Sequence, residues 1–524
     1  MDTGFITRRS QWPCRRIDGA RPAVSLEDRE TWSHDALYRQ VNRYANALLT
    51  RGVGAGDRVG ILLYNALEYW ALYLAVTRIG AIAVRLNFRL TAAELEFAIG
   101  DAGCRTLCFD AGLGETLAPI RDRVPVADYL ALDHGDVPVP DWARPWSVLE
   151  AGSAEEPDCP RPAPRDPAML MYTSGTTGRP KGALWSHDNT LWFAAIQALQ
   201  WGYSEDTVAM TTGPMYHVGA VEDLTSAALA VGGHAVVLSS GGFSIRRVLE
   251  TVEAQRVTDL FLFPFMIYQL AQLDDSEADA HDLSSLRRIC SGGDPLLPWA
   301  TQVLQRRYPW IEISQVYGLT EGTPIAACST GAETLDSPDS VGRPMPFTEI
   351  SLRDDSGGQV GPDEEGEIWI RGPVVCARYW QRPEASAETF VDGWCRTGDL
   401  GRLTADGLLA IAGRKKDMIR TGGENVYPAE VEDVLMRHSR VREAAVIAVP
   451  DARYIETVCA VIVPAGGETV TAEDIVRHCR EQLAGFKCPR HVVFADELPR
   501  TPSGKLMKYR LRETYRELGS EPGA

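Results

Sequence analysis

The sequence has no Cys-x-x-Cys pair. Its 11 cysteines are scattered, and the two nearest are Cys104 and Cys108. A structural zinc site needs clustered Cys and His ligands, so a zinc-stapled fold is excluded. Plain thiols in a reducing compartment are the expectation. Residues 1–16 are rich in arginine but lack the apolar run of a signal peptide. The most apolar stretch, 67–84, is broken by Glu68 and Arg78, and is too short and too charged to span a bilayer. A cytoplasmic protein that is not integral to a membrane is expected. Excess positive charge is also missing: 53 Lys and Arg stand against 71 Asp and Glu, a net charge of −18. Such a surface repels phosphate backbones, so nucleic acid is not the expected partner. Internal repeats and low-complexity tracts are absent.

What is present is a long chain of globular composition. Its 524 residues are 45% hydrophobic and 24% charged, enough for two to four structural units with large cores. Residues 32–52 have helical periodicity, with Leu37, Val41, Tyr44 and Leu48 on one face and Ser33 placed to cap the start. A strand at 58–63, a helix at 66–79 and a strand at 81–86 follow. Pro and Gly become dense over 124–167, which reads as loops or an inserted edge. Alternation resumes with strands at 169–173, 208–212, 235–238, 259–263 and 286–290 and helical stretches between them. This pattern predicts an α/β fold with largely parallel sheets covered by helices. From about 341 to 413 the texture becomes β-rich. A small α+β domain is expected beyond it. The expected division is therefore 1–413, a large N-terminal domain with a β-rich subdomain from about 341, and 414–524, a small C-terminal α+β domain.

The string Met171-Tyr-Thr-Ser-Gly-Thr-Thr-Gly-Arg-Pro-Lys-Gly182 follows a predicted strand. Its glycines let the backbone approach an anion, and the hydroxyls of Thr173, Ser174, Thr176 and Thr177 can donate to phosphate oxygens. Lys181 adds charge. The string is neither a Walker A loop nor a dinucleotide fingerprint.

This string closely resembles the phosphate-gripping loop of the adenylate-forming superfamily, which contains acyl-CoA synthetases, peptide-synthetase adenylation domains and firefly luciferase. The resemblance runs on in order through Ser291-Gly-Gly-Asp-Pro-Leu296, Tyr317-Gly-Leu-Thr-Glu321, Trp394-Cys-Arg-Thr-Gly-Asp-Leu400, Gly413-Arg-Lys-Lys-Asp-Met-Ile419, Gly422-Gly-Glu-Asn-Val-Tyr-Pro428 and Pro502-Ser-Gly-Lys505. It covers nearly the whole chain. It implies activation of a carboxylic acid by ATP, with release of pyrophosphate, followed by thioester formation with CoA. The alternative is adenylation alone, with the adenylate passed to a separate carrier or partner ligase.

The resemblance also assigns residues. ATP contacts fall on Thr173, Ser174, Gly175, Thr176, Thr177, Gly178, Lys181, Gly292, Gly293, Asp294, Tyr317 and Gly318, with Asp399 on the ribose hydroxyls and Arg414 beside them. Glu321, with Thr176, is the implied Mg²⁺ ligand, and Thr320 holds phosphate. Lys505 is implied to reach the carboxylate and α-phosphate, and Lys416 is the implied hinge. His217 matches the position beside the acyl group, where Val218, Gly219, Phe261, Phe263, Pro264 and Gly322 would line a pocket for a hydrophobic fatty, aryl or polycyclic acid. CoA contacts fall on Arg89, Gly422, Gly423, Glu424, Tyr454 and Arg490. A homodimer is compatible with the resemblance.

The sequence departs from the family pattern at three places. Glu222 and Asp223 stand where many relatives are apolar, and either cap a helix at the pocket rim or meet a polar group of the substrate. Ile455 replaces a glycine often found in CoA users, and Cys488 stands where a second basic residue is common. An amine-binding Asp near residue 216 is lacking, which disfavours an amino acid as substrate.

Overall fold

The computed structural model describes residues 18–133, 135, 137–173, 180–294, 296–421, 424–451, 454–466, 470–500 and 506–518, with Glu424, Asn425 and Ile455 described by backbone alone. The chain divides into two compact units. The first comprises Met1–Ser337, Gly342–Ile350 and Ile370–Arg396, and the second Pro338–Val341, Ser351–Trp369 and Thr397–Ala524.

Two sheets build the first unit. The eight-stranded sheet runs in the order Arg378–Tyr379, Lys181–Ser186, Pro167–Thr173, Ile82–Arg85, Arg58–Leu62, Thr106–Asp110, Asp128–Leu132, Arg144–Pro145. Its pairings are parallel from Pro167–Thr173 onward and antiparallel at the other edge. The Pro- and Gly-dense stretch thus supplies two edge strands, an inserted edge rather than loops alone. The nine-stranded sheet runs Arg343–Pro344, Thr323–Cys328, Glu312–Leu319, Arg288–Gly292, Asp259–Phe261, Val208–Thr211, His234–Val237, Pro22–Leu26, Glu30–Ser33. It is parallel in its centre and antiparallel at both edges.

The helix Leu67–Arg78 explains the most apolar stretch of the sequence. Every residue in it except Glu68 is buried. It packs on the helix His34–Thr50, on Arg58–Leu62 and Ile82–Arg85 of one sheet, and on Pro22–Leu26 of the other. A helix covered on all sides needs no polar face, so its sequence shows no amphipathic stripe. No helix among the described residues is long and apolar enough to cross a membrane. Ser33 caps His34–Thr50 as expected, accepting from the Ala36 amide at 3.2 Å.

In the second unit, Glu424–Val426, Ile419–Thr421, Ile455–Pro464 and Val441–Asp451 form a sheet in that order, and His491–Phe494 pairs in parallel with Ile455–Pro464. The helix Pro428–Met436 packs against Val441–Asp451, and Ala472–Arg480 packs against Pro428–Met436. Also in this unit, the strand Leu409–Arg414 runs antiparallel to Asp399–Leu403, bringing Arg414 opposite Asp399.

A buried histidine gives the first unit a pH dependence. His234 lies within the nine-stranded sheet, where Ser25 Oγ meets its Nε2 at 2.7 Å. Burial, and next the neighbouring His34, push the His234 pKa down to about 4 from 6.5. The unfolded chain then takes up a proton that the folded chain refuses, so stability is complete above pH 6.5 and falls as pH drops toward 4. The full loss from this one group is about 3 kcal/mol. Melting temperatures of the protein and of His234→Gln, measured from pH 7 to pH 4.5, should show a shallower fall in the variant. Parallel curves would contradict this account.

Candidate active site

The phosphate-loop candidate connects two antiparallel strands. Ala168, Met169, Leu170 and Met171 anchor the strand Pro167–Thr173 in the core. Thr173 ends it and pairs with Lys181, the first residue of Lys181–Ser186. Ser174, Gly175, Thr176, Thr177 and Gly178 lie outside the described residues. A second hairpin, between Glu312–Leu319 and Thr323–Cys328, brings Glu321 to the same place. Its turn depends on Gly318, where a Cβ would stand 2.1 Å from the Thr323 carbonyl oxygen.

The Glu321 side chain is nearly buried. Its Oε1 accepts from Thr173 Oγ1 at 2.8 Å and from the Tyr379 hydroxyl at 3.1 Å. Burial, and next the Glu321 charge, push the Tyr379 phenol well above its ordinary value, so it stays a donor. Lys181 Nζ sits 5.1 Å from the centre of the Tyr379 ring. Trp185 Nε1 donates to the Thr320 carbonyl oxygen at 2.8 Å and fixes the turn. Thr173, Lys181, Thr320 and Glu321 therefore converge, and Tyr379 and Trp185 join them without any motif to announce it. The backbone of Cys376 donates to the Glu321 carbonyl oxygen at 3.0 Å. The Cys376 thiol is buried and pushed well up by burial, and further by Glu321 and Cys395.

This cluster fits a magnesium ion of one kind. Among the described residues no group of three or more His, Cys, Asp or Glu could hold a metal. One carboxylate flanked by hydroxyl oxygens suits a hard cation that arrives on nucleotide phosphates and keeps part of its water.

Gly292, Gly293, Asp294 and Tyr317 lie at the carboxyl ends of adjacent parallel strands, Arg288–Gly292 and Glu312–Leu319, with Gly292 paired to Val316. Asp259–Phe261 is the next strand. Phe263, just beyond it, lies 3.7 Å from where a Gly293 Cβ would be. Carboxyl ends of parallel strands are where open α/β sheets bind ligands.

His217 precedes the short helix Val218–Val221 and caps it: the Gly219 amide donates to His217 Nδ1 at 3.1 Å. That bond leaves Nε2 to carry the proton of the neutral ring. The segment is held from outside by Arg85, at the end of Ile82–Arg85. Its Nη2 donates to the Met215 carbonyl and, at 2.8 Å, to the His217 carbonyl, and its Nη1 to Glu222 Oε2 at 2.5 Å. Both side chains of this pair are fully buried. Glu222 ends the helix Val218–Val221 as its C-cap residue through its backbone, while its side chain is the counter-ion of Arg85. Burial pushes the Glu222 carboxyl up, and Arg85 pulls it back. Arg85 was legible only as an odd charge at the end of an apolar strand. Gly322 faces Leu319, Ile370 and Cys395.

In the second unit, Arg414 Nε meets Asp399 Oδ1 at 2.8 Å, and the Asp399 side chain is nearly buried. Lys416 lies between two ion pairs: Lys415 with Asp355 at 2.7 Å and Arg512 with Asp417 at 2.7 Å. The Arg490 guanidinium stacks over the Tyr454 ring at 4.0 Å. Cys488 is packed in the core of this unit, so that position points away from solvent. Gly422, Gly423 and Lys505 lie outside the described residues, and Glu424 contributes backbone only. Arg89, in the first unit, is exposed, 5.5 Å from the Phe88 ring centre.

A strand-end nucleotide platform beside a carboxylate-and-hydroxyl cluster is the arrangement of an adenylating enzyme. The chain belongs to the AMP-binding enzyme family of the adenylate-forming superfamily: residues 14–380 match the AMP-binding enzyme family and residues 430–505 the AMP-binding enzyme C-terminal domain. A feruloyl-CoA synthase of Amycolatopsis sp. is 37% identical over 510 residues, covering 96% of this chain and 98% of that protein. An indoleacetate–CoA ligase of Aromatoleum aromaticum is 34% identical over 506 residues, covering 96% and 97%. Among solved structures, the anthranilate CoA ligase AuaEII in complex with anthranoyl-AMP superposes with a TM-score of 0.90 at 26% identity, covering 99% of this chain and 98% of that one.

The Arg85–Glu222 pair generates a stability prediction. Arg85→Met strands a buried carboxylate and should cost about 3–5 kcal/mol, as breaking a buried pair does. The double variant Arg85→Met/Glu222→Met should recover most of that loss in denaturant titrations. Additive losses would show that the pair is not coupled.

Proposed function

We propose that the protein is an acyl-CoA ligase that activates a hydrophobic, aromatic carboxylic acid with ATP. The observation that carries this reading is the nearly buried Glu321 carboxylate, held by Thr173 and Tyr379 where the glycine- and hydroxyl-rich loop begins. The aromatic class is supported by the feruloyl, indoleacetate and anthranilate ligases named above.

A carboxylate oxygen attacks the α-phosphorus of ATP, the bond to pyrophosphate breaks, and an acyl-adenylate forms. The thiolate of CoA then attacks the acyl carbon and AMP leaves. Two anions must meet in the first step, so catalysis rests on neutralising charge and fixing geometry. Lys181 and the loop donors bind the phosphates, and Thr320 joins them. Asp399 accepts from the ribose hydroxyls and Arg414 orients it. Glu321 and Thr176 would hold a magnesium ion, which would neutralise phosphate charge. His217, kept in its Nε2–H form, donates beside the acid. Lys505 approaches the carboxylate and α-phosphate, and Lys416 serves as the hinge. Arg89, Tyr454 and Arg490, with the backbone of 422–424, receive CoA.

The test is pyrophosphate release with ATP, Mg²⁺ and a panel of aryl, fatty and polycyclic acids. Adenylate is trapped by hydroxylamine, and CoA is then added. Pyrophosphate release and a CoA thioester with at least one aryl acid are expected. Release without any thioester would leave adenylation standing and defeat the ligase reading. Lys505→Ala should lower adenylation on the order of 100-fold or more, while leaving thioester formation from supplied acyl-adenylate near the starting rate. Adenylation that survives intact would remove Lys505 from its role.

A further inference from the structure

Asp223, next to Glu222, makes no ion pair among the described residues. Glu222 is balanced by Arg85. Asp223 is only 4% exposed, and its Oδ1 has no hydrogen-bond partner among the described residues. The other oxygen marks where the group points. A Cβ built on Gly219 would lie 3.3 Å from Asp223 Oδ2 and 3.3 Å from His217 Nδ1. The carboxyl and the imidazole therefore converge over the bare face of Gly219, at the half-buried His217. Leu224, the next residue, is held at a φ of 58° between the helices Val218–Val221 and Thr225–Ala230. Gln197 fixes that bend, its Oε1 accepting from the Leu224 amide at 2.8 Å and its Nε2 donating to the Glu222 carbonyl at 2.9 Å.

A buried polar atom without a partner is costly, and such atoms are satisfied by water or by a ligand. Burial, and next the Glu222 charge, push the Asp223 carboxyl well up, which favours the neutral acid, a group that both donates and accepts. A neutral carboxyl is matched by a neutral hydroxyl. An ammonium group would demand the charged form that burial opposes.

We propose that Asp223 is a specificity-determining residue that hydrogen-bonds a hydroxyl substituent on the body of the acid, so that the pocket beside His217 and Gly219 takes hydroxylated aryl acids in preference to their deoxy counterparts. This rests on the acyl-CoA ligase reading and names the substrate class of the same site. Apolar contacts alone separate such pairs poorly, whereas an unmet hydrogen bond at a buried group separates them well.

The experiment compares kcat/KM for pyrophosphate release on matched acids, hydroxycinnamates against cinnamate and hydroxybenzoates against benzoate. The protein should favour one hydroxylated member by roughly tenfold to a hundredfold. Asp223→Leu should collapse that ratio toward unity, and Asp223→Asn, which keeps a donor and an acceptor, should retain part of it. Gly219→Ala, which sets a methyl against the Asp223 oxygen, should depress the hydroxylated acid more than the deoxy acid. It keeps the test open if Asp223→Leu does not fold. A protein that shows no hydroxyl preference, that prefers amino-substituted acids, or whose ratio survives both Asp223→Leu and Gly219→Ala overturns the inference alone. No pyrophosphate release with any acid would overturn the ligase reading, and this inference with it.

Discussion

The guanidinium of Arg85 ties the two sheets of the first unit together behind the segment that carries His217. It sits at the end of the central strand Ile82–Arg85 and reaches the segment that follows Val208–Thr211 in the other sheet. Taking two charges out of water costs several kcal/mol per ion, and only full hydrogen bonding offsets it. Here every arm of the guanidinium has an acceptor: Nε the Tyr69 hydroxyl at 3.2 Å, Nη1 Glu222, and Nη2 the carbonyls of Met215 and His217. The backbone at 215–217 is thereby fixed by a group buried behind it. Asn65 adds to this, accepting from the Met215 amide at 2.7 Å and donating to the Gly213 carbonyl at 3.0 Å. The His217 ring is presented from a rigid rear wall, which is what a positioned binding group requires.

The rest of the site follows from sheet topology. Parallel strands end together, so Phe263, Gly293 and Tyr317 arrive at neighbouring places although they are far apart in sequence. Glu321 needs more, because a carboxylate cannot be held nearly buried by a strand end alone. It is placed by a hairpin closed on Gly318, braced by Trp185, and hydrogen-bonded by Thr173 and Tyr379. Sequence-distant elements each contribute one bond, and none would hold the carboxylate by itself.

Much of this was readable in the sequence. Local periodicity and turn residues placed His34–Thr50, Leu67–Arg78 and Pro167–Thr173 to within a few residues, because caps and apolar spacing are local signals. The strand Lys181–Ser186 was not read, since its apolar run is short and merges into the helix His187–Trp201. Motifs located Thr173, Lys181 and Glu321. They did not reveal Arg85 or Tyr379, whose roles come from long-range pairing that no local spacing encodes. Glu222 and Asp223 are adjacent and chemically alike, and only burial geometry separates a counter-ion from an unpartnered acid.

The cysteines beside Glu321 acquire a meaning from the reaction. An acyl-adenylate is an electrophile that any nearby thiolate would capture, and the thiolate, not the thiol, is the nucleophile. Cys376 and Cys395 are buried, and the Cys376 thiol is driven well above its ordinary range by burial and next by the Glu321 charge. The Glu321 carboxylate thus adds to burial in keeping the sulfur at its back a thiol. Burial first, and the neighbouring charge next, hold this sulfur in the form that does not attack an acyl group.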